Sequence, residues 1–290
     1  MENVTGYVKA FEAYLKSLNK SFYTIKQYTI DAKQFAEIIK DQTDMNEALL
    51  LYAKTIQEKY PSINSVNRKF ASMRHFLSFL QLRGVVSVYN ETILQPLAKQ
   101  QTKLDVLSEK QVKTALSFWP HQYDIALTDE NEWLALRNTA IVFVIAELGI
   151  KPAELVRMEW KHVDAEAKQL IVLASKKFRV LEVSTKLLDL LLRYKEHTQT
   201  FMPLIENSPF VWLGVGNVMG EPVSVKTIER IYKAMSEQLG FKVTATNMRY
   251  HAIQKELSAT DEKDQLYEQF GYARKGVLTE REQRFLKNTK

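Results

Sequence analysis

Apolar residues recur at intervals of three and four over the first eighty residues, and this helical spacing makes the start of the chain α-helical. The pattern is clearest in residues 8–18 and 66–80. A polar break near residue 20 ends the first of four predicted helices, the third begins near Met45 and ends before Pro61, and the fourth stops at Gly84. Four helices with short connections predict a compact helical bundle over residues 1–90.

The rest of the chain predicts a second domain that is helical with a small sheet. Residues 91–105 are polar and lack helical spacing, so we predict a linker there. Further helices follow, and a strand pair is predicted at 169–174 and 179–183, joined by a basic turn. The predicted fold class is therefore mostly α with a small β-sheet (α+β), and the second domain covers residues 106–290.

Charge and composition narrow the function classes only in part. The formal net charge is +6, and residues 1–103 hold 14 Lys and Arg against 9 Asp and Glu, so the excess lies in the first domain. The absence of cysteine excludes disulfides and thiolate chemistry. No apolar run approaches the roughly 20 residues of a membrane span, and no secretory signal is visible. We expect a cytoplasmic protein without metal or cofactor, at the bacterial nucleoid or in the host of a phage.

Two basic faces of the first domain are candidates for contact with DNA phosphates. Lys26, Lys33 and Lys40 are seven residues apart, so a helix places them along one side. The fourth helix is expected to expose a second polar set opposite its apolar stripe: Asn67, Arg68, Lys69, Arg74 and His75. Such faces suit phosphate contact, because lysine and arginine can displace counterions from a duplex. An ordinary solvated surface has the same composition, so both interpretations stay open.

Residues 149–164, GIKPAELVRMEWKHVD, resemble the first signature of the tyrosine recombinase (phage integrase) family. That signature runs Gly-Leu-Arg, two residues, Glu-Leu, and then Leu-x-Trp-x-x-Ile/Val-Asp. Residues 11–35 and 65–80 resemble the core-binding domain of the same family. The resemblance covers roughly residues 4–282. It implies a four-helix, SAM-like core-binding domain followed by a domain with the recombinase catalytic fold.

The family's reaction attacks a DNA phosphodiester with a tyrosine hydroxyl, and fixed cations stabilise the charge that develops on the phosphate. By the resemblance, Lys151 stands where the first catalytic arginine belongs. A lysine keeps the charge but lacks the planar fork of arginine. Lys176 or Lys177 takes the position of the hairpin lysine, and the sequence does not distinguish them. Solvated lysines in a turn are the other interpretation.

The second signature of the family, His-x-x-Arg, is also altered. Thr246 replaces the histidine, and Arg249 is retained. Threonine can bond a phosphate but cannot act as a base near neutral pH. Tyr272 takes the histidine position of the Leu-Gly-His turn, and counting nine residues onward to the nucleophile reaches Arg281. No tyrosine follows Tyr272, so the resemblance implies a catalytically degenerate member.

We therefore expect a sequence-specific regulator of double-stranded DNA, repressor-like and derived from a phage or mobile element, that does not cleave DNA and is not an enzyme. Degenerate relatives include integrase-like lysogeny repressors of Bacillus prophages, which the chain resembles. Self-association on DNA is possible, and no membrane contact is expected. The predicted DNA-binding residues are Lys26, Lys33, Asn67, Arg68, Lys69, Arg74, Lys151, Lys176, Lys177, Arg179, Thr246 and Arg249.

Three alternatives stay open at this point. The chain is an accessory or architectural factor for an active integrase, if its sequence preference is weak. It is a divergent recombinase, if Tyr272 or Tyr267 serves as the nucleophile. It is a decayed enzyme with no DNA role, if it fails to bind a duplex at any salt concentration.

Overall fold

The computed structural model describes residues 4–98, 104–174, 177–203, 208–260, 263–272 and 274–286. The chain forms two compact units, Met1–Gln101 and Thr102–Lys290. The fold is mainly helical with one three-stranded sheet among these residues, which confirms the predicted class. No helix within the described ranges is both long and apolar enough to cross a membrane.

The first unit is built on four helices: α1 Val8–Ser17, α2 Phe22–Ile38, α3 Met45–Lys59 and α4 Ile63–Leu82. Ser21 and Asp44 cap the second and third helices by accepting hydrogen bonds from the backbone N–H groups of Thr24 and Glu47. Phenylalanines from three helices fill the core, with Phe11 and Phe76 at 4.9 Å between ring centroids. The predicted bundle is confirmed in its helix number and in its apolar stripes.

The segment that follows α4 packs on the first unit, although it lies in the predicted linker. Residues Glu91–Leu94 form a 3-10 helix, and Leu94 is fully buried. The Asn67 side chain donates to the Leu97 carbonyl at 2.9 Å and accepts from the Leu97 N–H at 2.8 Å. The Arg74 guanidinium donates to the Leu94 carbonyl. At the other end of the segment, Leu104 is buried within the second unit.

The helices of the second unit are α5 Glu109–Asp124, α6 Asp129–Leu148, the short α7 Pro152–Leu155, α8 Thr185–Phe201, α9 Val225–Leu239, α10 Ala245–Ala259, α11 Lys263–Gln269 and α12 Lys275–Leu286. Helix α6 is buried over most of its length, so it forms the centre of the core. It ends at Gly149, whose φ of 58° is left-handed. A Cβ atom at this position would lie 2.6 Å from the Phe270 ring, so only glycine fits.

The sheet is antiparallel, with strand order β1 Val163–Asp164, β2 Gln169–Leu173 and β3 Phe178–Glu182. The β2–β3 hairpin confirms the predicted strand pair to within one residue at each boundary. The short strand β1 was not predicted, because two residues carry no alternation that a sequence pattern can show. Its position beside β2 places the signature segment 149–164 next to the hairpin.

Candidate functional site

On the first unit, Lys26 and Lys33 lie on the solvent-exposed side of α2, as the seven-residue spacing predicts. Lys40 lies beyond the end of the helix, and its Nζ is 3.6 Å from a carboxylate oxygen of Glu37. The continuous basic stripe is therefore two residues long, and the third lysine of the predicted face is partly neutralised. These are the exposed cations that α2 offers to a polyanion.

The prediction that α4 exposes Lys69 is wrong. Its side chain is 5% exposed, and its ammonium contacts Asp31 at 2.8 Å and Gln34 at 2.7 Å. Arg68 is 40% exposed but contacts the second oxygen of Asp31 at 2.6 Å. Asp31 is itself buried on α2, and a buried carboxylate requires compensating charge. Lys69 supplies that charge inside the bundle and cannot contact a phosphate from there.

Two further residues of the predicted α4 face have partners within the unit. Asn67 and Arg74 are partly buried and hold the 91–97 segment through the bonds described above. They are not freely exposed, contrary to the sequence-based expectation. His75 is exposed as predicted, with its ring 5.5 Å from the Tyr28 ring. Partial burial, with the nearby cations Lys20 and Arg74, lowers the pKa of His75.

On the second unit, the structure brings together a cationic cluster, which we define as Lys151, Arg179 and Arg249 around Glu154. Glu154 lies on α7 and its side chain is 3% exposed. It accepts two hydrogen bonds from the Arg179 guanidinium, at 3.1 and 2.8 Å, and one from the Lys151 N–H at 2.9 Å. The Lys151 ammonium lies 3.6 Å from the same carboxylate. One buried acid therefore holds two cations from different elements.

The cations of the cluster also bind three consecutive backbone carbonyls, which we call the carbonyl turn, residues 269–271. Arg179 Nε donates to the Gln269 carbonyl at 2.7 Å, Arg249 Nη2 to the Phe270 carbonyl at 2.7 Å, and Lys151 Nζ to the Gly271 carbonyl at 2.5 Å. Arg249 Nη1 donates to the Gly149 carbonyl. Arg249 is 5% exposed, and both of its Nη atoms donate within the protein.

The pKa shifts in the cluster follow from burial and charge. Burial, together with the neighbouring Arg249 and Arg179, lowers the pKa of the Lys151 ammonium, and Glu154 opposes the shift. Burial alone would raise the pKa of Glu154. The hydrogen bonds from Arg179 and from the Lys151 N–H outweigh burial, so the pKa of this carboxyl lies below its ordinary value. Glu154 is thus ionised near neutral pH and stabilises the cations around it.

The remaining predicted positions lie at the edge of the cluster or outside it. Thr246 is exposed in the first turn of α10, one turn before Arg249. The Tyr272 ring centroid lies 5.9 Å from Lys151 Nζ and 5.3 Å from Arg249 Cζ, so its face meets both cations. Arg281, at the expected nucleophile position on α12, lies over the Tyr250 ring at 5.1 Å.

The hairpin lysines differ in what the structure describes. Lys177 is exposed next to β3. Lys176 lies outside the described residues, so the choice between the two stays a prediction. Arg179, one position into β3, is only 10% exposed because it turns inward to Glu154. Of the predicted hairpin cations that the structure describes, Lys177 alone is exposed.

Sequence reasoning missed the role of Glu154. The residue stands three positions after Lys151, in the first turn of the helix that begins at Pro152, so its side chain can reach back to the Lys151 N–H. That local signal was available from the spacing. The carbonyl turn had no such signal, because backbone acceptors carry no side-chain identity. Its approach to residues 151, 179 and 249 depends on long-range packing.

No family model matches the chain. Among curated proteins, it is 25% identical over 194 residues to a tyrosine recombinase XerD-like protein of Streptococcus mutans, covering 67% of this chain and 70% of that protein. It is 26% identical over 246 residues to tyrosine recombinase XerA of Pyrococcus horikoshii, covering 84% and 76%. It is 25% identical over 242 residues to the TnP I resolvase of Bacillus thuringiensis, covering 79% of each.

Solved structures agree with these matches in fold. XerH recombinase bound to its palindromic difH substrate, a post-cleavage complex, aligns with a TM-score of 0.70 at 13% identity, over 93% of this chain and 80% of XerH. A λ integrase dimer bound to a COC′ core site aligns with a TM-score of 0.66 at 12% identity, over 95% and 76%. At these identities the structural likeness shows the fold alone.

Proposed function

We propose that the chain is a member of the tyrosine recombinase, or phage integrase, family and that it binds double-stranded DNA at specific sites as a regulator without cutting it. The names of the similar solved structures describe complexes with DNA, namely XerH with difH and λ integrase with its core site. The fold that this chain shares with those proteins is suited to binding a duplex. Strand cleavage requires a tyrosine nucleophile, and the sequence has none at the expected position.

The observation that carries this proposal is the residue at the expected nucleophile position. Counting from Tyr272 reaches Arg281, whose guanidinium packs on the Tyr250 ring. A guanidinium cannot attack phosphorus to form the covalent link that defines the family's reaction. The sequence contains no tyrosine after Tyr272 that another register of α12 would supply. Loss of the attacking hydroxyl removes the covalent route, whatever else remains.

The other altered positions support the same proposal. Thr246 has no group that exchanges a proton near neutral pH. Lys151 and Arg249 retain positive charge, but Lys151 Nζ directs one hydrogen bond to the Gly271 carbonyl, and Arg249 donates to the Gly149 and Phe270 carbonyls. Fixed cationic donors stabilise a transition state only if they are free to meet the phosphate oxygens. In this arrangement, the cluster stabilises the fold and adds positive potential near the surface.

Exposed cations are the proposed points of contact with the DNA backbone. On the first unit these are Lys26 and Lys33, and on the second they include Lys177 and the partly exposed Lys151. Such contacts fix register and orientation but carry little sequence information. Site choice then requires contacts with base edges or a sequence-dependent deformation of the duplex.

A second candidate is a divergent recombinase that uses Tyr272. The specific observation in its favour is that this ring lies against two cations of the cluster. The contact is through the ring face, whereas a nucleophile must present its hydroxyl to the phosphate. An accessory role beside an active integrase would use the same DNA-binding surfaces and differs only in where the protein binds.

The proposal is tested with duplexes selected by the protein from a random pool and with suicide substrates nicked near the selected site. We expect retention of a specific duplex, steep weakening with salt, and no covalent protein–DNA adduct. An adduct that disappears in Tyr272→Phe or in Tyr267→Phe, but persists in Tyr23→Phe as the matched control at an exposed tyrosine, would establish the recombinase instead. Failure to retain any duplex at low salt would exclude a DNA-binding function.

The regulatory part needs a separate measurement in the native host. Immunoprecipitation of the tagged protein with its bound DNA, followed by sequencing, is expected to give a few sharp peaks that share a motif near promoters. Peaks confined to the attachment sites of mobile elements would support the accessory role and contradict the regulator.

A further inference from the structure

The turn between α5 and α6 carries exposed apolar residues in an acidic setting. Ile125 and Leu127 are 54% and 94% exposed. Residues 114–136 contain four Asp and Glu and no Lys or Arg. We call residues 124–130 the acidic tip. Its charge repels the phosphates of a duplex, so an electrostatic partner for the tip must be positively charged.

The acids of the tip have a local purpose, whereas Leu127 has none. Asp129 and Glu130 lie in the first turn of α6, where negative charge stabilises the positive end of the helix dipole. Leu127 directly precedes the capping residue Thr128, and an apolar residue in this place often packs on the fourth residue of the helix. That residue is Glu132, so the helix offers Leu127 no apolar cover. A leucine exposed in this way is available to a second molecule.

Helix α2 presents a complementary surface. In its first turn, Phe22 and Tyr23 are 73% and 75% exposed, with ring centroids 5.9 Å apart. Ile30 is 46% exposed two turns further on, and Lys26 and Lys33 are exposed between and beyond these residues. At about 100° of rotation per residue, all five side chains lie within an arc of about 100° on one side of the helix. We call these five residues the basic aromatic face.

We propose that the acidic tip of one copy binds the basic aromatic face of a second copy when DNA is absent. The tip brings two aliphatic side chains and carboxylates, and the face brings two aromatic rings, an isoleucine and two ammonium groups. Apolar burial supplies the free energy of such a contact, and the opposite charges set its orientation. The two surfaces differ, so the contact is head-to-tail, and a pair of copies keeps one free tip and one free face. Patches of this size form weak, transient contacts, which bury less than about 1,200 Å² in total.

One consequence rests on the proposed function. Lys26 and Lys33 are the proposed contacts of α2 with the DNA backbone, so a duplex and the acidic tip of a second copy compete for the same lysines. By mass action, self-association then reduces the share of the protein that is free to bind DNA as its concentration rises.

The head-to-tail contact is tested by sedimentation equilibrium of the full chain without DNA, at concentrations up to the order of 100 µM. We expect the average mass to rise with concentration. The tip variant is Leu127→Ser with Glu130→Gln, and the face variant is Tyr23→Ser with Lys26→Gln. Each is expected to weaken association by about tenfold or more. An equimolar mixture of the two is expected to form a dimer and nothing larger, because each mixed pair keeps one intact tip and one intact face.

The matched control is Val88→Ser with Glu91→Gln, because Val88 is 89% exposed and Glu91 is exposed in the first unit. It removes the same kinds of group as the tip variant and is expected to associate as the unmodified protein does. All the replaced side chains are exposed, so no variant opens the core. The contact is refuted if the unmodified protein stays monomeric, if the tip or face variant associates as the control does, or if the mixture forms no dimer.

Competition with DNA is tested by disulfide trapping, because the chain contains no cysteine. Copies with Leu127→Cys and copies with Tyr23→Cys are mixed and oxidised with diamide, and the yield of the mixed dimer is measured. Val88→Cys in place of Leu127→Cys gives the background yield. An excess of the duplex selected from the random pool is expected to reduce the mixed dimer to that background.

The outcomes separate this inference from the proposed function. If the unmodified protein retains no duplex, the proposed function and the competition both fail, while sedimentation without DNA still decides the head-to-tail contact. If a duplex is retained but leaves the yield of the mixed dimer unchanged, DNA binding stands and the competition is refuted.

Discussion

Replacing Glu154 by Gln tests whether the cationic cluster holds the second unit together. The substitution keeps the size of the side chain and removes its charge. Arg179, which is 10% exposed, would then remain in the protein without its ion-pair partner. The amide nitrogen of the new side chain would also face a donor, because both carboxylate oxygens accept hydrogen bonds in the unmodified protein.

The size of the effect follows from this geometry. Removing one partner of a buried ion pair costs about 3–5 kcal/mol. Arg179 keeps its bond to the Gln269 carbonyl, which favours the lower end of that range. The Lys151 ammonium is 41% exposed, so its contact with Glu154 is screened by water and adds little. We expect a loss of about 3 kcal/mol in the free energy of unfolding of the second unit.

Tryptophan fluorescence during urea unfolding measures this quantity for the second unit alone. All four tryptophans, Trp119, Trp133, Trp160 and Trp212, lie within Thr102–Lys290. With a denaturant slope of about 3 kcal/mol per molar urea, the expected loss lowers the midpoint by about 1 M. Glu182→Gln, which removes an exposed carboxylate from the same sheet, is the matched control and is expected to leave the midpoint in place.

The pH dependence gives an independent readout. The pKa of Glu154 is lowered in the folded protein, so its stabilising contribution is complete above its ordinary pKa of 4.5 and is lost as the pH falls through the folded value. The unmodified protein is therefore expected to lose stability below pH 4.5 more steeply than Glu154→Gln. A midpoint for Glu154→Gln no lower than that of the control, with parallel pH profiles, would refute the ion pair.

Three further variants test the first unit and the glycine turn. Replacing Lys26 and Lys33 together by Gln is expected to reduce the salt slope of DNA binding by about 1.8, since each phosphate contact contributes about 0.9; an unchanged slope in filter binding would make that face a solvated surface. Lys69→Met leaves Asp31 buried without its ammonium, so amide hydrogen exchange in α2 and α4 should accelerate as the unit loses about 3 kcal/mol, while the salt slope stays constant. Gly149→Ala combines a left-handed φ with an aromatic ring 2.6 Å from the new Cβ, and urea unfolding should show a loss of about 2 kcal/mol or more.

The sequence predicted the elements of this fold well where one helix face is uniformly apolar. The helices of the first unit follow their apolar stripes closely, and the β2–β3 hairpin follows its alternation. The prediction from sequence failed where a polar residue is buried against a partner that is distant in the chain. Lys69 occupies the polar side of its helix by spacing alone, yet Asp31, thirty-eight residues earlier, draws it into the bundle. Helical periodicity contains no information about such a partner.

The segment after α4 shows a second kind of failure. It has no apolar period, and lack of periodicity predicted a linker. The structure anchors it through single side chains, with Leu94 buried and Asn67 bonded to both backbone groups of Leu97. An amide side chain can satisfy the N–H and the carbonyl of one residue, as a neighbouring strand would. Such an anchor depends on individual residues and leaves no repeating pattern.

The contacts in the candidate site change the interpretation of Lys151 and Arg249. Positive residues kept beside lost catalytic groups favour DNA binding on sequence grounds, because a phosphate is the expected partner of Lys151 and Arg249. In the structure Lys151 and Arg179 contact Glu154, and all three cations bind the carbonyl turn, so folding alone accounts for them. Their retention therefore discriminates weakly between a DNA-binding protein and a decayed enzyme.

Stronger evidence for DNA binding must come from exposed cations that have no ion-pair partner among the described residues. Lys26 and Lys33 are exposed on α2 and form no ion pair among the described residues. If the lysine pair affects DNA binding while Arg249→Ala affects only stability, the surface used for recognition is distinct from the cationic cluster.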